Sequence, residues 1–221
     1  PQQLGMVNEK GGPGIGDFGP RGHFEQPLRR VQLPAMTPEP PPPLEPDTKD
    51  WTWVLDERCP ECGYDATELD VSAVGSEVRT VAARLGGLLA DPRANLRPNA
   101  QQWSAVEYGC HVRDVFRLFD TRLRLMLAED DPLFANWDQD ATAIEDDYAS
   151  QESDQVADEL IASAEIIAAS FEAVTDDELL RKGRRSDGAG FTVDSFARYF
   201  LHDPIHHVWD VEQGYSELGG A

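Results

Sequence analysis

Four stretches of the chain repeat apolar residues at helical spacing. Between Ser72 and Ala90 these are Val74, Val78, Val81, Ala82, Leu85, Leu88 and Leu89, and Asp91-Pro92 stops the pattern. Ser104 followed by Glu107 forms a capping box, the start signal of a second helix. Behind it Tyr108, Val112, Val115, Phe116, Phe119, Leu123 and Met126 carry one face to Leu127. A third stripe, Val156, Leu160, Ile161, Ala164, Ile167, Ala168 and Phe171, falls within residues 153–174. Thr175 with Glu178 is a second capping box, opening a short helix that Leu179 and Leu180 close. The last long helix starts after Thr192 and runs to Gln213, with Pro204 inside it, where the missing N–H predicts a kink. No segment shows strand-like alternation. The pattern predicts an all-α fold, a four-helix bundle over residues 71–215.

The connecting segments differ in character. Leu133 to Ser150 is acidic and aromatic without a period, a long connection expected to form the wall or lid of a pocket. Residues 181–190 are glycine-rich and hold the basic cluster Arg181, Lys182, Arg184 and Arg185. Two readings are open there: a solvated loop, or an anchor for an anionic cosubstrate through Arg184 and Arg185. Residues 1–50 carry eleven of the sixteen prolines and read as a disordered tail. Met36 reads as a natural start, with residues 1–35 as upstream sequence or an expression remnant. Residues 51–70 form a leader with Trp51, Trp53 and the tight turn Cys59-Pro60-Glu61-Cys62-Gly63-Tyr64-Asp65.

The formal charge of −22 lies almost wholly after residue 50, with no basic stripe to offset it. Such a surface repels phosphate backbones, which argues against nucleic acid as a partner. No apolar run approaches the roughly 20 residues of a membrane span, and the N-terminus lacks a basic-then-apolar signal pattern. Three cysteines, two of them in a C-x-x-C pair, point to a reducing compartment and a cytoplasmic location.

Chemistry concentrates in Tyr199 to Asp210, which contains His202, His206 and His207. His202 and His206 are four apart and share one helix face, a spacing that lets two imidazoles hold one metal ion if a third ligand arrives from elsewhere. His111, on the second helix, is the expected third ligand, with Glu107 and Asp114 one turn to either side as partner or general base. His207 turns roughly 100° from His206 and is expected to pair with Asp203 or Asp210. The competing reading leaves all three ligand histidines as packing residues. Cys59 and Cys62 admit three readings: free thiols in a structural turn, a metal knuckle, or a redox dithiol.

Trp103-Ser104-x-x-Glu107-x-x-x-His111-x-x-Asp114, followed by His202-Asp203-x-x-His206-His207, resembles the DinB-like superfamily over residues 70–215. That superfamily comprises four-helix bundles and includes bacillithiol- and mycothiol-dependent transferases and maleylpyruvate isomerase relatives. The leader ahead of the bundle looks like that of an actinobacterial branch. The resemblance implies a divalent metal on His111, His202 and His206, zinc first, with nickel, iron and manganese as alternatives. It also implies a low-molecular-weight thiol cosubstrate such as mycothiol, transferred to an electrophilic small molecule. Pairing into a homodimer through a helix face is a further expectation of the family. The alternative is a bundle that binds metal or a partner without catalysis.

Overall fold

In the computed structural model, which describes residues 49–219, the apolar stripes become helices and close on one core. The tail expected over residues 1–50 and the start at Met36 lie, apart from Lys49 and Asp50, outside the described residues. The helices are α1 (Val74–Leu89), α2 (Ala105–Ala128), α3 (Gln139–Glu145), α4 (Ser153–Glu172) and α5 (Val193–Gly219). α1 and α2 each pack against α4 and α5, which makes the four long helices a bundle, and the short α3 sits in the 133–150 connection. Where residues 176–180 were expected to be helical, a single 3-10 turn forms over Glu178–Leu180.

The stripes meet as the periodicity requires. Leu85, Phe116, Leu160, Ile167, Phe200 and Leu201 are fully buried. Phe200 stacks on Phe171 with ring centroids 5.4 Å apart and meets Phe116 at 6.0 Å, while Phe119 stacks on Phe196 at 4.9 Å. Gly109 lets α2 approach its neighbours closely. A Cβ there would lie 2.9 Å from Leu89 Cδ1 and 3.1 Å from Val156 Cγ1, closer than van der Waals contact allows.

One expectation needs correction. A three-stranded sheet is present: β1 (Leu133–Phe134), β2 (Lys182–Arg185) and β3 (Gly190–Thr192), in the order β1-β2-β3. β1 runs parallel to β2 with Leu133 opposite Arg184, and β2 runs antiparallel to β3 with Gly183 opposite Phe191. Strands of two to four residues are too short to show alternation, and backbone pairing rather than side-chain pattern creates them. The glycine-rich loop is therefore a hairpin tied to the 133–150 connection. Pro204 lies inside α5, which runs from Val193 to Gly219.

α2 is fixed at its start and along one flank. The Ser104–Glu107 capping box forms as expected. Glu107 Oε2 accepts from the Ser104 N–H at 2.9 Å and from Arg97 Nε at 2.8 Å, and Oε1 pairs with Arg97 Nη2. One turn past His111, Asp114 accepts from Arg113 at 3.0 Å, Arg117 at 3.1 Å and the Tyr148 hydroxyl at 2.6 Å. Arg113 also donates to Glu159 on α4 at 3.0 Å.

Two outcomes follow from these networks. Glu107→Ala leaves Arg97 facing a buried site without its carboxylate, and urea denaturation should show a loss of about 3 kcal/mol. Burial would raise the Asp114 carboxyl, but Arg113 and Tyr148 outweigh it and hold it below the ordinary 3.8. A lowered carboxyl stabilises the fold above its unfolded value and loses that stabilisation as pH falls through the folded one. Asp114→Asn should therefore lower stability at neutral pH and flatten its decline below about pH 4, read from denaturation midpoints across the acid range.

Candidate metal centre and its cavity

α5 offers two adjacent ligand pairs, His202/His206 and Asp203/His207, each four residues apart and offset from the other by about 100° around the helix. The fold separates them. One ligand atom from each of His111, Asp203 and His207 lies within 4.8 Å of the others, and the same holds for Cys59, Cys62, His202 and His206. The triad His111, His202 and His206 expected from sequence is thus not brought together. α2 meets the 203/207 stripe of α5, whereas the 202/206 stripe faces the leader.

His111 is wholly buried, flanked by Trp103 at 5.4 Å and by Trp137, whose ring stacks on it at 5.3 Å. Its Nε2 lies 3.5 Å from Asp203 Oδ1, and its ring meets that of His207 edge-on at 4.8 Å. Both His111 ring nitrogens and Asp203 Oδ1 are buried without a hydrogen-bond partner among the described residues. His207 Nδ1 donates to Asp210 Oδ2 at 2.8 Å, while its Nε2 faces Asp203 Oδ1 at 3.8 Å. The pairing of His207 with these two acids agrees with the sequence reading, but the ring also takes part in the ligand group. Burial would raise the Asp203 carboxyl; the His111 and His207 rings outweigh this and hold it down at about 2.

Two imidazoles and a carboxylate whose ligand atoms lie within 4.8 Å of one another fit a divalent cation with open positions. The Asp210 carboxylate on Nδ1 is the outer partner that fixes a ligating histidine's tautomer. Glu107 and Asp114, considered as bases, belong to neither ligand group, and their oxygens are engaged by Arg97, Arg113, Arg117 and Tyr148.

Asp203 and His207 line an inner cavity of about 130 Å³ together with Phe119, Arg122, Trp137 and Tyr199. Trp137, Tyr199 and Arg185 also border an outer cleft of about 860 Å³. The 133–150 connection supplies Asn136, Trp137 and Gln139 to both, the wall that its composition suggested. Arg122 is buried, donates through Nη2 to the Ala135 carbonyl at 2.8 Å, and leaves Nε without a partner among the described residues. Burial, with Arg185 nearby, pushes its pKa down to about 10. Arg185 lines both cavities, bonded to Asp187 at 2.7 Å and to the Tyr199 hydroxyl at 3.1 Å. Arg184, expected beside it, lines neither and pairs with Asp131 at 3.0 Å.

Sequence reasoning missed Asp203, His207 and Arg122. Asp203-x-x-x-His207 carries the same spacing signal as His202-x-x-x-His206, and only the rotational setting of α5 separates the two. Arg122 sits on an otherwise apolar stripe, a cue that a charge enters the core there.

Among curated proteins none matches the chain at a significant level. The fold resembles that of YfiT from Bacillus subtilis, described as "a probable metal-dependent hydrolase with an unusual four-helix bundle topology". The TM-score is 0.61 at 18% identity, covering 67% of this chain and 87% of that one. A family model described as the DinB superfamily matches residues 76–211, more than half of the sequence, including all of α2 and the part of α5 that carries Asp203 and His207. The chain belongs to the DinB superfamily.

Proposed function

We propose that this chain is a metal-dependent transferase that joins a low-molecular-weight thiol, of the mycothiol kind, to an electrophilic small molecule. The observation that carries the reading is the wholly buried His111, whose Nε2 lies 3.5 Å from Asp203 Oδ1, with His207 beside them at the edge of a cavity. His111, Asp203 and His207 would hold a divalent ion, zinc first. Bound there, the ion lowers the pKa of a thiol or water so that a nucleophile exists at neutral pH. The description of YfiT as a probable metal-dependent hydrolase supports a metal in this fold.

The rest of the site serves binding and orientation. The inner cavity admits the reactive end of a ligand, and the outer cleft accommodates the bulk of a larger cosubstrate. Arg122 and Arg185 supply charged donors at the junction, suited to a carboxylate or another anionic group on either partner. Trp137 over His111 and Phe119 on the cavity wall limit water access, which strengthens each polar contact inside. Asp210 holds His207 with Nε2 toward Asp203. In the transfer a sulfur–carbon bond forms, the leaving group departs with its bonding pair, and the thiol proton passes to solvent through the cleft.

Zinc-loaded protein should consume mycothiol with a haloaromatic electrophile, followed by loss of free thiol. His207→Ala should lower kcat/KM by at least about 100-fold and remove the ion. Thiol consumption that is equal in the parent, the variant and a chelated sample would refute the reading. A bound ion without turnover of any thiol would leave the non-catalytic alternative. Asp210→Asn should weaken metal affinity about 10- to 100-fold in a competition titration with a chelator. Arg122→Gln should raise KM for the anionic partner about 10-fold or more, with a smaller change in kcat, read from steady-state kinetics.

A further inference from the structure

The second ligand group has its own chemistry. Cys59, His202 and His206 are buried, and Cys62 is half-buried. Cys59 Sγ lies 3.6 Å from His206 Nδ1. Zinc–sulfur bonds of about 2.3 Å and zinc–nitrogen bonds of about 2.0 Å give a tetrahedral sulfur-to-nitrogen edge of about 3.5 Å. His202 Nε2 is buried with no hydrogen-bond partner among the described residues. His206 Nε2 faces Glu61 Oε2 at 3.6 Å and Asp210 Oδ2 at 3.9 Å, acceptors that leave Nδ1 as the lone pair directed at Cys59.

The local backbone is shaped for this. Cys59 N donates to the Tyr64 carbonyl at 2.8 Å and Gly63 N to the Cys59 carbonyl at 3.0 Å, folding Cys59 and Cys62 into one tight turn. Gly63 takes φ +77°, a left-handed conformation that a side chain would strain. Trp51 and Tyr64 pack on the His202 ring at 5.5 Å and 5.7 Å, and Trp209 covers His206 at 5.6 Å.

We infer that Cys59, Cys62, His202 and His206 form a second, structural zinc site that fastens the leader to α5. Two thiolates and two imidazoles in C-x-x-C and H-x-x-x-H spacing make a complete tetrahedral set with no position left for substrate. Cys59 and Cys62 lie outside residues 76–211, the part matched by the family model, so the site is an addition to the bundle. Its consequence reaches the cavity, because the leader it anchors carries Trp51, which lines both the inner cavity and the outer cleft. The Tyr64 hydroxyl reinforces the junction by donating to the Arg198 carbonyl at 2.8 Å. The ligands are not those of the proposed catalytic centre, so either site can fail without the other.

The test uses the full chain loaded with cobalt(II) in place of zinc. A thiolate-to-cobalt charge-transfer band in the near ultraviolet is expected in the parent and in His111→Ala, which disrupts only the other group. The band should vanish in the Cys59→Ser/Cys62→Ser double variant, with loss of about one ion per chain by elemental analysis. Because that variant could fail to fold, the zinc-loaded parent is also titrated with an organomercurial against a chromogenic chelator. Release of about one zinc as two thiols react is the expected result. The inference falls if the cobalt form has no such band. It falls equally if Cys59 and Cys62 react at one rate with and without a chelator.

Discussion

A buried imidazole with both nitrogens unpaired is costly, at about 1–3 kcal/mol for each unmet group, and the architecture places one at the heart of the bundle. His111 is enclosed by Trp103 and Trp137, which supply no acceptor for its ring. Asp203 and His207, polar neighbours from α5, stand close enough to share an ion but leave the His111 nitrogens without hydrogen bonds. Everything that sets the rotation of α2 against α5 therefore bears on the site. The Ser104–Glu107–Arg97 cluster fixes the start of α2, and Arg113 and Asp114 tie its flank to α4 and Tyr148. A rotation of α2 by one residue, about 100°, would point Cys110 or Val112 at α5 instead.

α5 is the element that contributes to both groups of candidate ligands. Consecutive residues of one helix point in different directions, so Asp203 and His207 face α2 while His202 and His206 face the leader. Asp210, a turn further on, approaches both His206 and His207 and gives the two groups a common outer partner. The proposed catalytic ion and the inferred structural one would lie on neighbouring stripes, with Trp51 linking the leader to the cavity wall.

Charge is distributed unevenly in a way the total conceals. The chain is strongly acidic, at −22, yet the cavity beside the histidines is bordered by Arg122 and Arg185. Arg122 gains only the Ala135 carbonyl among the hydrogen bonds described, so its burial is offset poorly unless a ligand contributes. Within an acidic protein, the buried Arg122 and the half-buried Arg185 would suit the anionic group proposed for this cavity.

The helices, their caps and the family were legible in the sequence because periodicity and capping are local: Ser104 and Glu107 interact within one turn, and each apolar stripe records the side that must leave water. The histidine-rich segment was legible as a ligand source for the same reason, since spacings of four align side chains on any helix. The short sheet escaped notice because its strands are shorter than any pattern. Local spacing could not say which of two overlapping pairs meets His111, or that Cys59 and Cys62 would reach across to His202 and His206. Those partners lie far apart in the chain, and only the rotational setting of α2 and α5, fixed by packing around Phe116, Phe200 and Gly109 and by the buried ion pairs, decides which atoms converge.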